Sequence, residues 1–198
     1  FLQLTGNRFL QPIPMIADSL GRFYTLITDS TRLPFGSVFV YYLDNAISLS
    51  NFTVTATFTT AADAIIEVIE IINASTPSLV SSGLANFPTL PLTLNPTAVG
   101  QLMLMGVVSI ISAGASGQYT NSTTMTILDT TMIANDILTG ADAFSYAGTT
   151  GPQIVTVNYT PDTGQPNISG YNAVGVVIGV GNYPVSINNA SLAIEYLD

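Results

Sequence analysis

Residues 51–59, NFTVTATFT, alternate without a break. Phe52, Val54, Ala56 and Phe58 fall on one side, and Thr53, Thr55, Thr57 and Thr59 on the other. A period of two predicts a strand with one buried and one wet face. Residues 35–43 (FGSVFVYYL) predict another strand. TTAADAIIEVIEIINAS follows, where two signals compete. Thr60 with Asp63 fits a capping box, and Glu67 and Glu70 stand three apart as on a helix. Ile and Val dominate the run, however, and β-branched side chains favour strands. The expectation is a strand over 65–71, with room for a short helical turn before it.

Residues 75–97 carry Pro77, Pro88, Pro91 and Pro96 and read as a Pro-rich connection. Residues 98–115, AVGQLMLMGVVSIISAGA, run 18 positions without a charge, enough for a membrane helix by length alone. Gly100, Gln101, Gly106 and Ser109 interrupt the run, and neither an aromatic belt nor a basic flank accompanies it. A long buried strand with a bulge near Gly106 is the better reading. TTMTILD (123–129) is its expected hairpin partner, and 131–142 a short helix or irregular crossing. QIVTVNY (153–159), GYNAVGVVIGVG (170–181), PVSIN and SLAIEYL complete eight or nine strands, the last running to Asp198. In GVVIGVG, Gly175, Gly179 and Gly181 relieve crowding or mark a bulge rather than cradle a phosphate. Clusters such as PDTGQPN supply turns. The fold class expected is all-β, an antiparallel β-sandwich with a jelly-roll-like head.

The N-terminal 30 residues stand apart. FLQLTGNRFLQPIPMIADSLGRFYTLITDS is rich in large apolar side chains, yet Pro12 and Pro14 forbid one continuous helix. A terminus this apolar must be buried, on its own domain or on another chain. An extended apolar tail ahead of a β-rich body suggests a strand donated to a neighbour's sheet. Phe1, Leu2, Leu4, Phe9, Leu10 and Ile13 are the candidate inserted residues, with alternate positions such as Gln3 outward. The division expected is a tail and linker over 1–30 and a head over 31–198.

Charge narrows the function. Lys and Arg total 3 against 12 Asp and Glu, a net charge of −9. The cations are Arg8, Arg22 and Arg32, so no basic patch exists for nucleic acid or an anionic membrane. Charged residues make up only 8% of the chain, so hydroxyls and amides keep the surface wet. These groups hydrogen-bond at any pH, whereas carboxylates neutralise in acid. Such a surface suits an acidic medium and an extracellular or cell-surface location. A start at Phe1 fits removal of a signal peptide.

With no His, Cys or Lys, no Ser-His-Asp relay, thiol nucleophile, Schiff base or His/Cys zinc site can be built. Carboxylates remain. A pair such as Glu67 and Glu70 could serve glycoside hydrolysis, although no Trp offers a sugar platform, and a solvated face explains both residues more simply. Asp129, Asp136 and Asp142 could offer oxygens to Ca²⁺, but their spacing matches no EF-hand loop. No cofactor or metal is expected, and no catalytic role. N-x-S/T occurs six times, at Asn51, Asn73, Asn121, Asn158, Asn167 and Asn189, about double the chance expectation. N-linked glycans would hydrate and shield a surface so poor in charge. Pro161 weakens the sequon at Asn158.

On the FLQLTGNRFLQ start, the β-rich body, the absence of Lys and Cys and the six sequons, the chain resembles archaeal thread-type surface filament subunits. It differs from type IV pilins, whose long apolar helix is interrupted here by Asn7, Arg8, Pro12 and Pro14. The resemblance implies a structural, non-enzymatic subunit of a homopolymer joined by donor-strand complementation, serving adhesion or cell–cell contact. Two alternatives share parts of the pattern: a viral jelly-roll capsid or spike protein, and a carboxylate-based glycan-active enzyme.

Overall fold

The computed structural model describes residues 2–7, 13–32, 36–44, 53–59, 63–72, 79–86, 91–111, 117–133, 138–161, 168–179 and 186–194. These hold sixteen strands and no helix. In chain order they are β1 (Leu2–Asn7), β2 (Met15–Asp18), β3 (Thr25–Arg32), β4 (Gly36–Tyr42), β5 (Val54–Thr57), β6 (Asp63–Ile72), β7 (Leu79–Asn86) and β8 (Leu92–Leu94). Then follow β9 (Leu102–Ile111), β10 (Gly117–Thr120), β11 (Thr126–Ile133), β12 (Leu138–Tyr146), β13 (Gln153–Val155), β14 (Asn158–Pro161), β15 (Ile168–Ile178) and β16 (Ser186–Ile194).

Two five-stranded sheets form the centre, in the orders β16-β6-β1-β4-β3 and β11-β12-β9-β15-β7. Every pairing within them is antiparallel. We call them the N-sheet and the C-sheet. β4 lies against β9 and β15, β3 against β7 and β15, and β11 against β16, so the sheets stack face to face. Between them pack Val38, Val40, Ile65, Ile69, Leu102, Leu104, Val108, Val174, Val176 and Ile178.

The other face of each sheet is covered in part by short strands. The β2-β5 pair covers the N-sheet, where Ile16, Val54 and Ala56 meet Phe39, Tyr41 and Ile66. The β8-β13 and β10-β14 pairs cover the C-sheet, where Leu92, Leu94, Tyr119 and Val155 meet Met103, Met105, Val107 and Ala173. Four layers enclose three cores. A strand buried on both faces needs apolar side chains at every position, so it loses the alternation of a half-wet strand. That is why β6, β9 and β15 read as continuous apolar runs, and why β9 imitates a membrane helix by composition. Among the described residues no helix is long and apolar enough to cross a membrane.

Several expectations change. Residues 63–72 are strand throughout, with no helical turn; Thr60 lies outside the described residues. The 75–97 connection contains β7 and β8. Gly106 is no bulge: it pairs in unbroken register with Asp142 and with Val174. The hairpin partner of β11 is β12, not β9, and residues 138–142 are strand. The 153–159 run divides into β13 and β14, because β13 pairs with β8 and β14 with β10. PVSIN and SLAIEYL share one strand, β16, which ends at Ile194. Residues 195–198 lie outside the described set. The expected eight or nine strands undercount because short covering strands carry little periodic signal.

The N-terminal strand sits in the middle of its own N-sheet. β1 pairs antiparallel with β4 on one side and β6 on the other. Leu4 takes the position opposite Phe39 and Ile66, and Gln3 that opposite Val40 and Glu67. The inward and outward settings expected for Leu4 and Gln3 concern side chains outside the described residues.

After β1 the chain is fastened again at Pro14, whose carbonyl accepts a 2.5 Å hydrogen bond from the buried hydroxyl of Tyr41. Burial first, and the Asp29 charge second, push the Tyr41 phenol up to about 12, so it remains a donor at any physiological pH. Tyr41→Phe leaves the Pro14 carbonyl unpaired. A loss of about 1–2 kcal/mol is expected, read as a Tm lower by about 2–8 °C in calorimetry.

Asp18 organises the following turn. Its Oδ1 accepts the N–H groups of Leu20 (2.9 Å) and Arg22 (3.0 Å), and its Oδ2 the Nε–H of Arg22 at 2.7 Å. Gly21, at φ 77°, supplies the left-handed residue that closes it. Although burial opposes it, these donors from Arg22 and Leu20 hold the Asp18 carboxyl below its ordinary value.

Candidate functional site

Two features carry functional weight: the slot that β1 fills, and a group of carboxyls between the sheets.

The slot follows from the pairing. β4 and β6 do not pair with each other; β1 alone joins them. Without it, each would present a row of unpaired N–H and C=O groups to a gap one strand wide. Leu2 and Leu4 occupy register positions in that gap. Ile13 is exposed, at 56%. Phe1, Phe9 and Leu10 lie outside the described residues. β2 and β3, also within the first 32 residues, pair with β5 and β4.

The carboxyls arise from alternation. On β6, Ile65, Glu67 and Ile69 face the C-sheet, while Ile66, Val68 and Glu70 face away from it. The solvated face expected for Glu67 is thus overturned: Glu67 is 1% exposed, whereas Glu70 is exposed. An odd spacing puts the two Glu on opposite faces of one strand, so they do not form a pair. The partner of Glu67 is Asp142 on β12, 2% exposed. Asp129 on β11 stands directly opposite Asp142. Space for this meeting comes from missing side chains. Gly106 lies beside Asp142 in register, and a Cβ on Gly140 would come within 3.3 Å of Ile65 Cδ1.

As two carboxylates the pair would be acceptors without a donor, and Glu67 Oε1 and Oε2 and Asp142 Oδ2 are buried with none. With a proton on one of them, they hydrogen-bond each other. Burial first, then the charges of Asp142 and Asp129, raise Glu67 well above the usual carboxylate range. Burial raises Asp142 to about 7; the hydrogen bond with Glu67 and the charge of the N-terminal amino group work against that shift, and the Asp129 charge adds to it. Two interacting carboxyls buried out of water do not both ionise readily.

The Ca²⁺ grouping is brought together only in part. Asp129 and Asp142 meet, and Asp136 lies outside the described residues. Among the described residues no group of three His, Cys, Asp or Glu could hold a metal. Sequence reasoning singled out Glu67 and Asp142 separately, for different chemistry, and missed that they are partners. The available signal was an acidic residue at an inward position of an otherwise apolar strand.

Two of the sequon asparagines are described with their side chains, and both are exposed. Asn121 Oδ1 accepts the N–H of Ile127 at 2.8 Å, and Asn158 Nδ2 donates to the Asn121 carbonyl at 2.8 Å. Asn189 lies in β16; Asn51, Asn73 and Asn167 lie outside the described residues. Comparison with family models, curated proteins and solved structures finds no match.

Proposed function

We propose that this protein is a structural subunit of an extracellular filament, without enzymatic activity, which polymerises by exchange of its N-terminal strand and serves adhesion or cell–cell contact. The observation that carries the reading is the place of β1: central in the N-sheet, and bonded on both edges to strands that do not pair with each other. The same backbone partners are met in either sheet, so exchange between identical chains costs little beyond association. The Tyr41–Pro14 hydrogen bond limits the exchanging segment to residues ahead of Pro14. Donor and acceptor surfaces differ, so the contact is heterologous and extends into an open fibre.

The chain has no Cys, which makes the test direct. Thr5 and Val38 are register partners. A Thr5→Cys/Val38→Cys variant, assembled and then oxidised, is expected to give a ladder of covalent multimers on a non-reducing gel. Cross-linked monomer alone from fibrous material would overturn strand exchange. Electron microscopy of negatively stained native protein separates fibres from the closed shells of a capsid. N-linked glycans are part of the same proposal, with the exposed Asn121 and Asn158 as candidate acceptors; modification of Asn158 would have to give up its Nδ2 hydrogen bond to the Asn121 carbonyl. Intact native mass is expected to exceed the 20.8 kDa polypeptide by several glycans; a mass equal to the bare chain would refute glycosylation.

A further inference from the structure

We infer that Glu67 and Asp142 form a proton-held clasp between the two central sheets, closed in acid by a hydrogen bond between their carboxyls and opened when both ionise. The inference is independent of the filament reading and stands on where the two groups lie.

Each is buried, and each belongs to a different sheet: Glu67 to β6, Asp142 to β12. Glu67 Oε1 and Oε2 and Asp142 Oδ2 are buried without a hydrogen-bond donor. Along β6, Ile65 and Ile69 flank Glu67, and across from it β9 contributes Leu104, Gly106 and Val108. On β12, Asp142 lies between Gly140 and Phe144 in the inward row. β1 and β16, the strands on either side of β6, contain no titratable residue. Two further charges act on the pair: Asp129 of β11, a third carboxyl, repels a negative charge at either site, while the N-terminal amino group favours one on Asp142. Arg22, the one Lys or Arg with a described side chain, belongs to the Asp18 turn. A proton shared between the two buried carboxyls supplies the donor that both lack as carboxylates.

The sign follows. A carboxyl raised by folding binds its proton more tightly in the folded chain than in the unfolded one. Its contribution is complete below the unfolded value of about 4 and is lost as pH rises through the folded value, about 7 for Asp142. Acid strengthens the join between the sheets, and mildly alkaline solution weakens it. This is opposite to the usual acid denaturation of proteins whose carboxylates are ion-paired. A surface wetted by hydroxyls and amides works in the same direction, since it loses little in acid.

The chain contains three Glu, at 67, 70 and 195, so protein labelled with ¹³C at Glu Cδ shows three side-chain carboxyl resonances. One is expected to titrate well above the usual carboxylate range, and to be the one missing in Glu67→Gln. Three ordinary titrations would overturn the clasp. The second readout is thermal unfolding between pH 5 and pH 8.5. The unaltered chain is expected to lose roughly 5 °C or more in Tm over that range, and Glu67→Gln/Asp142→Asn to lose much less. An unaltered chain with a flat profile, or a double variant that falls just as far, overturns it too. Should the double variant fail to fold, the resonance titration of the unaltered chain decides the matter.

Discussion

A chain lacking Phe1–Asn7 is expected to lose both assembly and a stable head, and to recover the head when the missing segment is supplied as a peptide. Removing β1 takes away the hydrogen bonds that β4 and β6 each make to it. At about 0.5–1.5 kcal/mol net per backbone bond, with lost apolar burial in addition, the deficit rivals the whole net stability of a domain, about 5–15 kcal/mol. The remaining chain keeps two unpaired strand edges facing a gap, a state prone to aggregation. A peptide of residues 1–13 should raise the Tm of this chain in a dose-dependent way, since it binds the folded head only. Leu4→Asp in that peptide should abolish the rescue, because the position lies opposite Phe39 and Ile66, both buried. A Gln3→Thr peptide, altered at the position level with Val40 and Glu67, should still rescue, since it buries no charge. If the truncated chain polymerises as the full chain does, strand exchange is refuted.

The second large effect is expected at Gly175. It sits mid-strand in β15, between Ala173 and Val177, on the face covered by β8. A Cβ there would collide with Leu92 Cδ2, and would lie 3.1 Å from both the Leu104 carbonyl and Leu94 Cδ2. Leu92 and Leu94 are wholly buried, so neither can swing away into water. Gly175→Ala should cost about 1–3 kcal/mol by overpacking. Gly175→Val should cost more and displace β8 from the sheet. Urea unfolding of the two variants measures the costs. Gly140→Ala is the milder comparison, since its closest neighbour would be Ile65 Cδ1 at 3.3 Å. An Ala at 175 that unfolds like the unaltered chain would mean that β8 is not seated on β15.

What the chain alone determined was its class. Alternation in residues 51–59, β-branched runs in 65–71 and 170–178, and turn clusters between them leave an antiparallel all-β sandwich as the consistent reading. The role of Gly175 as a relief of crowding was also readable in place. Layering was not legible: β8, β10, β13 and β14 have three or four residues each, too few for periodicity to register. Yet these covers bury the second face of the C-sheet and turn β9 into an uninterrupted apolar run. The clasp lay furthest from view. Glu67 and Asp142 stand far apart in the chain and on different sheets, and each alone looks like an ordinary surface acid. Only the stacking of β6 on β12, with glycine at 106 and 140 to make room, brings two carboxyls together out of reach of water, where a single proton decides whether they attract or repel.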